Sequence, residues 1–339
     1  MREAGERAPL TATVVIPTYA RAERLRALLE CLTRQEGHAL LRVVVSDDGS
    51  PDHTEDVVRS FEDRLPVLYA WQEDLGFRAG QARNMGIERA VGDVVIFVDD
   101  DVLVRTDFVM QHLAAHARQG SGRSVAVGYR HRTHAAPVGV PGPVEVHDAE
   151  RDDRLLELSG PVGEHRTPWL YVYSCNFSVT RRHPELRFDE GFSGWGHEDT
   201  ELGYRLHRSG HAIVDAPLAP VLHVEDPRPR DPFRCEVRGL PPVYDTYVHN
   251  LVYFLDKHPG DPELGAFVRG DLRWYVLDDA GRWVKNGYAN DVEFVIERCR
   301  QQIRLRQAAR RAAAEEPASS AGPESHPPPA ATASQRESA

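Results

Sequence analysis

The feature that most constrains the fold of this chain is an alternation of two sequence periods in its first hundred residues. Short, continuously apolar runs are separated by segments in which apolar residues recur with the period of a helix. The apolar runs are TATVVIPT (11–18), LRVVVS (41–46), VLYAW (67–71) and VVIFVD (94–99). Strands of this composition that alternate with helices form a parallel sheet with helices on both faces. The sequence therefore predicts an α/β domain built on such a sheet.

The remaining elements follow from the same patterns. Helices are predicted at 21–35, from about 52, at 80–90, 106–118, 198–208, 243–257 and 290–313, and further strands at 123–129, 171–179 and 211–216. Residues 130–168 are rich in His, Pro, Gly and charged residues, which indicates a long loop or insertion. From about residue 314 the chain is rich in Pro, Ser, Ala and Glu and has no aromatic residue, which is typical of a disordered tail.

Charge and cysteine content exclude several classes of protein. The formal net charge of -11 argues against nucleic acid as a partner, because phosphate binding requires a basic surface. The four cysteines form no C-x-x-C pair, so neither a zinc cluster nor a disulfide framework is indicated. The first ten residues lack the apolar core of a signal peptide, and no apolar run approaches the roughly 20 residues that span a bilayer. These features predict a soluble, cytoplasmic protein without a membrane span.

Three adjacent carboxylates, Asp99-Asp100-Asp101, end the strand at 94–99. Adjacent carboxylates repel each other and raise one another's pKa unless a cation neutralises them. Hard oxygen ligands suit Mg²⁺ or Mn²⁺, which keep bound waters and also take phosphate oxygens. The motif therefore predicts a divalent metal site. The other interpretation is a loop in which one acid caps the helix that begins near Thr106.

A second acidic cluster, Asp47-Asp48-Gly49-Ser50, follows the strand at 41–46. On its own it is typical of a turn followed by a helix N-cap. Its functional interpretation is a carboxylate that accepts hydrogen bonds from a nucleobase or ribose. Both acidic clusters lie at the carboxyl ends of predicted parallel strands, where open α/β sheets bind ligands. No G-x-G-x-x-G follows the first strand and no G-x-x-x-x-G-K-[ST] occurs, which argues against a standard dinucleotide fold and a P-loop.

The stretch GWGHEDTELGYRL (194–206) sets a tryptophan between two glycines and then three carboxylates, Glu198, Asp199 and Glu201. A sequence that served only as a helix would not open with Gly-Trp-Gly-His. The carboxylates also suit a helix N-terminus, where the dipole favours negative charge, and this interpretation does not compete with a functional one. His223 follows a short apolar run in APVLHVEDP, and a lone histidine is usually structural or exposed.

Taken together, these segments resemble glycosyltransferase family 2 in order and spacing. The resemblance is carried by VVIPTYAR (14–21), SDDGSPD (46–52), GFRAGQARNMGIERAVGDVVIFVDDD (76–101), CNFSVTRR (175–182) and FDEGFSGWGHEDTELGYRL (188–206), and it covers about residues 11–225. The GWGHED segment is also similar to the C-terminal half of galactosyltransferase and chondroitin-polymerase catalytic domains. The family implies an A-type glycosyltransferase domain with a Rossmann-like, mostly parallel sheet flanked by helices. It also implies a nucleotide-sugar donor, expected to be a UDP-sugar, and Mn²⁺ or Mg²⁺ as cofactor.

The resemblance implies roles for individual residues. Asp199 matches the catalytic base, and Glu198 is expected to orient the acceptor or donor sugar. Trp195 matches the ring that packs on a sugar, and Gly196 lies in the same loop, whose glycines are expected to let it close over the donor. Asp48 matches the carboxylate that reads uracil. The implied metal ligands are Asp101, His223 and Asp99. The implied donor-binding residues are Pro17, Thr18, Tyr19, Arg21, Asp47, Asp48, Arg83, Asp99 and Asp100.

The resemblance further implies an inverting transfer, since retaining relatives often carry Asn at the position of Asp199. The expected domains are a flexible N-terminus (1–10), a catalytic domain (11–240, with 11–128 on the nucleotide-sugar side and 129–240 on the acceptor side), a helical C-terminal extension (241–313) and a disordered tail (314–339). The acceptor stays open between a polysaccharide, a peptide and a small natural product. A non-catalytic sugar-nucleotide-binding protein on the same fold is the alternative function. A nucleotidyltransferase is a further option, but PTYARAERL is not the Gly-rich, basic loop that it would carry after the first strand.

Overall fold

The computed structural model of the chain describes residues 9–120, 122–133, 150–224 and 243–315. Its strands are β1 (Ala12–Thr18), β2 (Leu41–Asp47), β3 (Val67–Trp71), β4 (Val94–Val98), β5 (Val102–Val104), β6 (Ser124–Val127), β7 (Arg130–Thr133), β8 (Asn176–Thr180), β9 (Ala212–Asp215), β10 (Val221–Val224), β11 (Tyr275–Leu277) and β12 (Trp283–Lys285). Its helices are α1 (Ala22–Leu32), α2 (Thr54–Arg59), α3 (Ala79–Arg89), α4 (Phe108–Gln119), α5 (Arg154–Glu157), α6 (Glu198–Arg208), α7 (Val243–Lys257), α8 (Pro262–Leu272) and α9 (Val292–Glu315). The predicted flexible N-terminus and disordered tail lie almost entirely outside the described residues.

The central sheet has the strand order β3-β2-β1-β4-β8-β6-β9. Strands β1 to β4 are mutually parallel where they pair, and β8 runs antiparallel to both of its neighbours. Every residue of β1 is buried, as expected for a strand covered by helices on both faces. Val15 points into one hydrophobic core, and Val14 and Ile16 point into the other. The predicted mostly parallel sheet flanked by helices is confirmed.

A smaller sheet, which the sequence did not predict, consists of β5, β10 and β7. Strand β10 runs antiparallel to β5, so that His223 lies opposite Val102. The backbone amide of Val224 donates to the carbonyl oxygen of Asp101 at 2.9 Å. This pairing brings His223 to the end of the acidic motif at 99–101.

Several predicted element boundaries are corrected. Residues 130–168 are not one long loop, because their described part contains β7, α5 and a 3₁₀ helix at Val162–Glu164. The strand predicted at 171–179 begins only at Asn176, since a 3₁₀ helix occupies Pro168–Tyr171. Helix α8 and the hairpin of β11 and β12 were not predicted. Strands of three or four residues are too short to display a sequence period.

The C-terminal extension shares a core with the central sheet. Leu251 and Phe254 of α7 and Val295 of α9 belong to the same buried cluster as Phe97 and Phe177 of the sheet. The two long helices lie where their sequence period predicted them. Among the described helices, none combines the length and the apolar character that crossing a membrane requires.

A buried polar network joins α4 to the sheet. The hydroxyl of Ser178 lies 2.8 Å from Nδ1 of His112 and 2.8 Å from Nε2 of His116. His112 also contacts the Asn176 side chain at 3.0 Å, and His116 contacts the Ser124 hydroxyl at 2.7 Å. Burial lowers the pKa of His112 to about 4 and the pKa of His116 to about 3. Both rings are therefore neutral in the folded protein near neutral pH.

We expect these histidines to make the fold sensitive to acid. Unfolded histidine titrates near pH about 6.5, so below that pH the unfolded chain binds protons that the folded chain excludes until about pH 4. The free energy of unfolding is therefore unaffected by protonation of these histidines above pH 6.5, and it falls as the pH drops from 6.5 towards 4. Between pH 7.5 and pH 5.5, His116→Gln should lose about 1 kcal/mol less free energy of unfolding than the wild type. Urea unfolding at both pH values measures this difference. His53→Gln, at a half-exposed position, is the control, and equal losses in wild type and His116→Gln would contradict the expectation.

Candidate active site

The carboxyl ends of β1 and β2 form one side of the site. Asp47 is fully buried and accepts from the Tyr69 hydroxyl at 2.7 Å and the Ser50 amide at 2.8 Å, so it fixes the turn after β2. Asp48 accepts from Gln72 Nε2 at 2.7 Å and from the Arg78 amide at 2.9 Å. Asp48 thus connects the end of β2 to the start of α3.

The segment after β1 reaches toward the same strand ends. Pro17 is buried within the strand, and the hydroxyl of Tyr19 donates to Asp74 at 2.9 Å. The buried Thr18 hydroxyl donates to Asp100 at 2.7 Å. Arg21 contacts the acidic motif as well, so the ends of β1 and β4 are joined by side chains.

Asp100 and Asp101 lie in different electrostatic surroundings. Burial and the charge of Asp101 raise the pKa of Asp100 to about 7, although Arg21 opposes the rise. Burial also acts to raise the pKa of Asp101, but His223 and Arg21 outweigh it and lower that pKa to about 2. The Arg21 guanidinium lies 2.6 Å from Asp101 and 3.3 Å from Asp100. Basic neighbours therefore keep Asp101 ionised, whereas burial and the charge of Asp101 still raise the pKa of Asp100.

Two of the three expected metal ligands meet. Nε2 of His223 lies 3.2 Å from Oδ1 of Asp101, whereas the third expected ligand, Asp99, contacts Arg83 at 3.1 Å. Within the described residues no group of three His, Cys, Asp or Glu side chains could hold a metal ion. One carboxylate and one imidazole fit Mn²⁺ or Mg²⁺ when substrate phosphate oxygens and waters complete the coordination. The site thus fits a metal that binds together with a diphosphate.

The loop before α6 is held by α7. The backbone is left-handed at Gly194 (φ +71°) and at Gly196 (φ +111°). A Cβ on Gly194 would lie 2.4 Å from the side chain of Thr246. Asn250 donates to the carbonyl oxygen of Gly196 at 2.8 Å and accepts from the amide of Ser193 at 3.3 Å. The glycines therefore allow close packing and positive φ, and closure of the loop over the donor stays a prediction.

Trp195 presents an aromatic surface beside the carboxylates. Its side chain is 53% exposed, and its ring stacks on Tyr247 with centroids 5.7 Å apart. Tyr247 is fixed from the other side, because its hydroxyl donates to Asp271. The C-terminal extension thus supports the ring that the sequence singled out for sugar binding.

Asp199 is held by hydrogen bonds to both oxygens. One oxygen accepts from the amide of Ser174 at 2.9 Å and from its hydroxyl at 3.2 Å. The other accepts from the amide of Thr200 at 2.7 Å and from its hydroxyl at 3.3 Å. The carboxylate is half-buried and its orientation is fixed.

Glu198 is joined to the acidic motif at 99–101 by one arginine. The buried guanidinium of Arg83 lies 3.1 Å from Glu198 and 3.1 Å from Asp99. Burial and the charge of Asp199 raise the pKa of Glu198 to about 7, although Arg83 opposes the rise. Glu198 also lines an open cleft between the start of α3 and the loop before α6.

Glu201, the third carboxylate of the motif, has a structural role. It is fully buried and contacts Lys257 at 2.7 Å, His258 at 2.9 Å and Arg205 at 2.9 Å. These contacts join α6 to the end of α7. The motif therefore divides into Glu198 and Asp199, which belong to the site, and Glu201, which does not.

Sequence reasoning missed two contributors to the site. Ser174 fixes Asp199, and its only signal was its position beside the recognised CNFSVTRR segment. Tyr247 lies in a helix that was predicted but given no function. Its contact with Trp195 depends on how α7 packs, which no local pattern encodes.

The sequence of the chain is similar to those of known glycosyltransferases. The family model described as Glycosyl transferase family 2 matches residues 13–140. A validoxylamine A glucosyltransferase of Streptomyces hygroscopicus subsp. jinggangensis (strain 5008) is 42% identical over 219 residues, which cover 58% of this chain and 51% of the relative. A chondroitin synthase of Escherichia coli is 27% identical over 254 residues, which cover 63% of this chain and 35% of the relative. The chain thus spans about half the length, or less, of these curated relatives.

Solved structures show the same fold. S. aureus TarS 1-349 in complex with UDP-GlcNAc superposes with a TM-score of 0.56 at 17% identity, over 78% of this chain and 72% of that chain. The mannosyltransferase PcManGT from Pyrobaculum calidifontis, in complex with GDP-Man and Mn2+, gives a TM-score of 0.52 at 15% identity, over 89% of this chain and 76% of that chain. The predicted A-type fold and the resemblance to family 2 are confirmed.

Proposed function

We propose that this chain, whose residues 13–140 match glycosyltransferase family 2, is a metal-dependent, inverting glycosyltransferase. Its donor is a UDP-sugar, and its acceptor carries a hydroxyl group and binds beside Trp195. The 42% identity to a validoxylamine A glucosyltransferase makes glucose the first donor sugar to test and validoxylamine A the first acceptor.

The observation that carries this proposal is the bridge formed by Arg83. Its guanidinium contacts both Asp99, in the metal motif, and Glu198, beside the proposed base, at 3.1 Å each. Group transfer requires that donor and acceptor be held together in one defined geometry. A rigid link between the two acidic motifs supports a single site in which both substrates bind.

In the proposed reaction, an acceptor hydroxyl attacks the anomeric carbon on the face opposite the diphosphate. The new carbon–oxygen bond forms as the bond to the diphosphate breaks, and UDP leaves. Asp199 takes the acceptor proton. The hydroxyls of Ser174 and Thr200 contact Asp199 at 3.2 and 3.3 Å, which is long for O–H···O hydrogen bonds. They can turn away when an acceptor hydroxyl arrives.

Glu198 is the second candidate for the base. Its pKa is raised to about 7, close to the value at which general bases are most effective near neutral pH. Its contact with Arg83 opposes this role, because taking up a proton would weaken a buried ion pair. We therefore assign proton transfer to Asp199 and the orientation of the substrates to Glu198.

Asp101 and His223 would hold Mn²⁺ or Mg²⁺ together with oxygens of the donor diphosphate. When bound, the ion would offset the negative charge that develops on the leaving diphosphate. Thr18 and Asp48, at the ends of β1 and β2, are proposed to contact the uridine.

We expect UDP with Mn²⁺ to raise the melting temperature of the full chain more than GDP with Mn²⁺. At about 100 times its Kd, UDP should stabilise the fold by about 2.7 kcal/mol. The same protein should release UDP from UDP-glucose when validoxylamine A is present, and EDTA should abolish the release. Thermal shift and a coupled UDP assay measure the two effects.

Each part of the proposal can be contradicted by a separate experimental result. Equal stabilisation by UDP and GDP would contradict uracil recognition. UDP release that persists in EDTA would contradict metal dependence. Tight UDP-sugar binding without any release, across a panel of donors and with water or sugars as acceptors, would favour the non-catalytic binding protein.

A further inference from the structure

A guanidinium already contacts Asp101, the carboxylate that is proposed to hold the cation. Nη1 of Arg21 lies 2.6 Å from Oδ2 of Asp101 and 3.3 Å from Oδ1 of Asp100. On the other side, Nε2 of His223 lies 3.2 Å from Oδ1 of Asp101. Both oxygens of the carboxylate are therefore in contact with a basic side chain.

Arg21 differs from its neighbour Arg24 in how firmly it is held. Arg24 donates to the carbonyl oxygen of Val224 and lies 4.0 Å from Asp101. Within the described residues, the hydrogen bonds of the Arg21 side chain go only to Asp100 and Asp101. Its side chain is 50% exposed, against 30% for Arg24. Arg21 can thus leave the acidic motif without breaking any contact to the backbone.

The position of Arg21 gives it a second place to bind. It is the N-cap residue of α1, three residues after the end of β1, and so lies at the strand ends where the nucleotide is proposed to bind. An arginine guanidinium binds phosphate oxygens in bidentate fashion. A diphosphate at this edge of the sheet would therefore attract the same side chain that now neutralises the acids.

We propose that Arg21 and the divalent metal exchange at Asp101. In the donor-free protein Arg21 neutralises Asp100 and Asp101, and the metal binds only as Arg21 moves to the donor diphosphate. A guanidinium and a dication bound to the same carboxylate repel each other, so each weakens the binding of the other. This inference rests on the proposed metal-dependent function. The exchange makes the binding of metal and the binding of nucleotide depend on each other. By linkage, bound metal raises the affinity for the nucleotide by the same factor as bound nucleotide raises the affinity for the metal.

Titration of the full chain with Mn²⁺, with free Mn²⁺ followed by electron paramagnetic resonance, tests the exchange without any turnover. For wild type, UDP should raise the Mn²⁺ affinity strongly. For Arg21→Gln, the affinity for Mn²⁺ alone should rise at least about fivefold, and the further increase caused by UDP should shrink by a similar factor. Arg21→Lys, which keeps the charge, should retain the low affinity for Mn²⁺ alone.

Arg26→Gln is the matched control. Arg26 lies on the same helix and pairs with the exposed Glu23 at 3.2 Å, so its removal should leave both Mn²⁺ affinities unchanged. If Arg21→Gln bound Mn²⁺ alone no better than wild type while wild type bound Mn²⁺ with UDP, the exchange would be overturned and the proposed function would stand. If wild type bound no Mn²⁺ even with UDP, metal dependence and the exchange would both be overturned.

Discussion

Replacing Asp199 by asparagine is expected to lower the rate of sugar transfer by about 10²–10⁴-fold, the usual contribution of a general base. An amide keeps the size of the carboxylate but cannot take the acceptor proton. UDP affinity should barely change, because the proposed uridine and diphosphate contacts lie at the ends of β1, β2 and β4. The initial rate of UDP release and the calorimetric Kd of UDP, measured on the same preparation, separate the two effects.

The hydrogen bonds around Asp199 define the control. Asparagine has one acceptor oxygen, so its amino group must face the backbone amide of either Ser174 or Thr200, both of which donate in the wild type. A buried donor left without an acceptor costs about 1–3 kcal/mol, so some loss of stability is expected. Ser174→Ala removes one 3.2 Å hydroxyl contact but keeps the backbone donor, and should change the rate far less.

Two other outcomes would reassign the roles. A parallel fall of UDP affinity and rate in Asp199→Asn would mean that Asp199 holds the structure of the site. An unchanged rate, together with a large loss in Glu198→Gln, would make Glu198 the base. In that case the wild-type rate would fall below about pH 7, following the raised pKa of Glu198, and this dependence would vanish in Glu198→Gln.

The centre of the sheet was predictable because β1, β2 and β4 are buried almost throughout. Strands that are buried on both faces are apolar along most of their length. The strands β1, β2 and β4 can therefore be recognised from the sequence alone. Their carboxyl ends lie at one edge, which is why Asp48 and Asp100 could be expected in one site. Helix α6 begins at Glu198 as predicted, since acidic residues accumulate in the first turn of a helix.

The contact between the side chains of Asp101 and His223 could not be predicted from any local sequence pattern. It depends on β5 and β10, which have three and four residues and pair across a long stretch of chain. Only the family resemblance suggested it. The local sequence pattern also gives Glu198 and Glu201 the same character, although their structural environments differ. Glu201 contacts Lys257 of α7, whereas Glu198 contacts Arg83 of α3.

Removing the Arg83 guanidinium is expected to have the largest effect on stability. In Arg83→Met, the buried Glu198 loses its partner, and Asp99, whose side chain is 31% exposed, loses a contact that water can partly replace. Breaking a buried ion pair by removing one partner costs about 3–5 kcal/mol. Urea unfolding at pH 8 measures this loss. Arg64→Met is the surface control, since its pair with Glu30 should contribute at most about 1 kcal/mol.

The pH dependence of this loss identifies its cause. Arg83 lowers the pKa of Glu198, so its removal must raise that pKa further above its value of about 7 in the wild type. At pH 6 the variant can then fold with a protonated, neutral Glu198, and the cost of the substitution should be smaller than at pH 8. Adding Glu198→Gln to Arg83→Met should recover part of the stability at pH 8, because no buried charge is left without a partner. If the costs of the two substitutions simply added and did not depend on pH, Arg83 would stabilise the fold through its packing on Phe188, and the charged link between the two acidic motifs would not hold the site together.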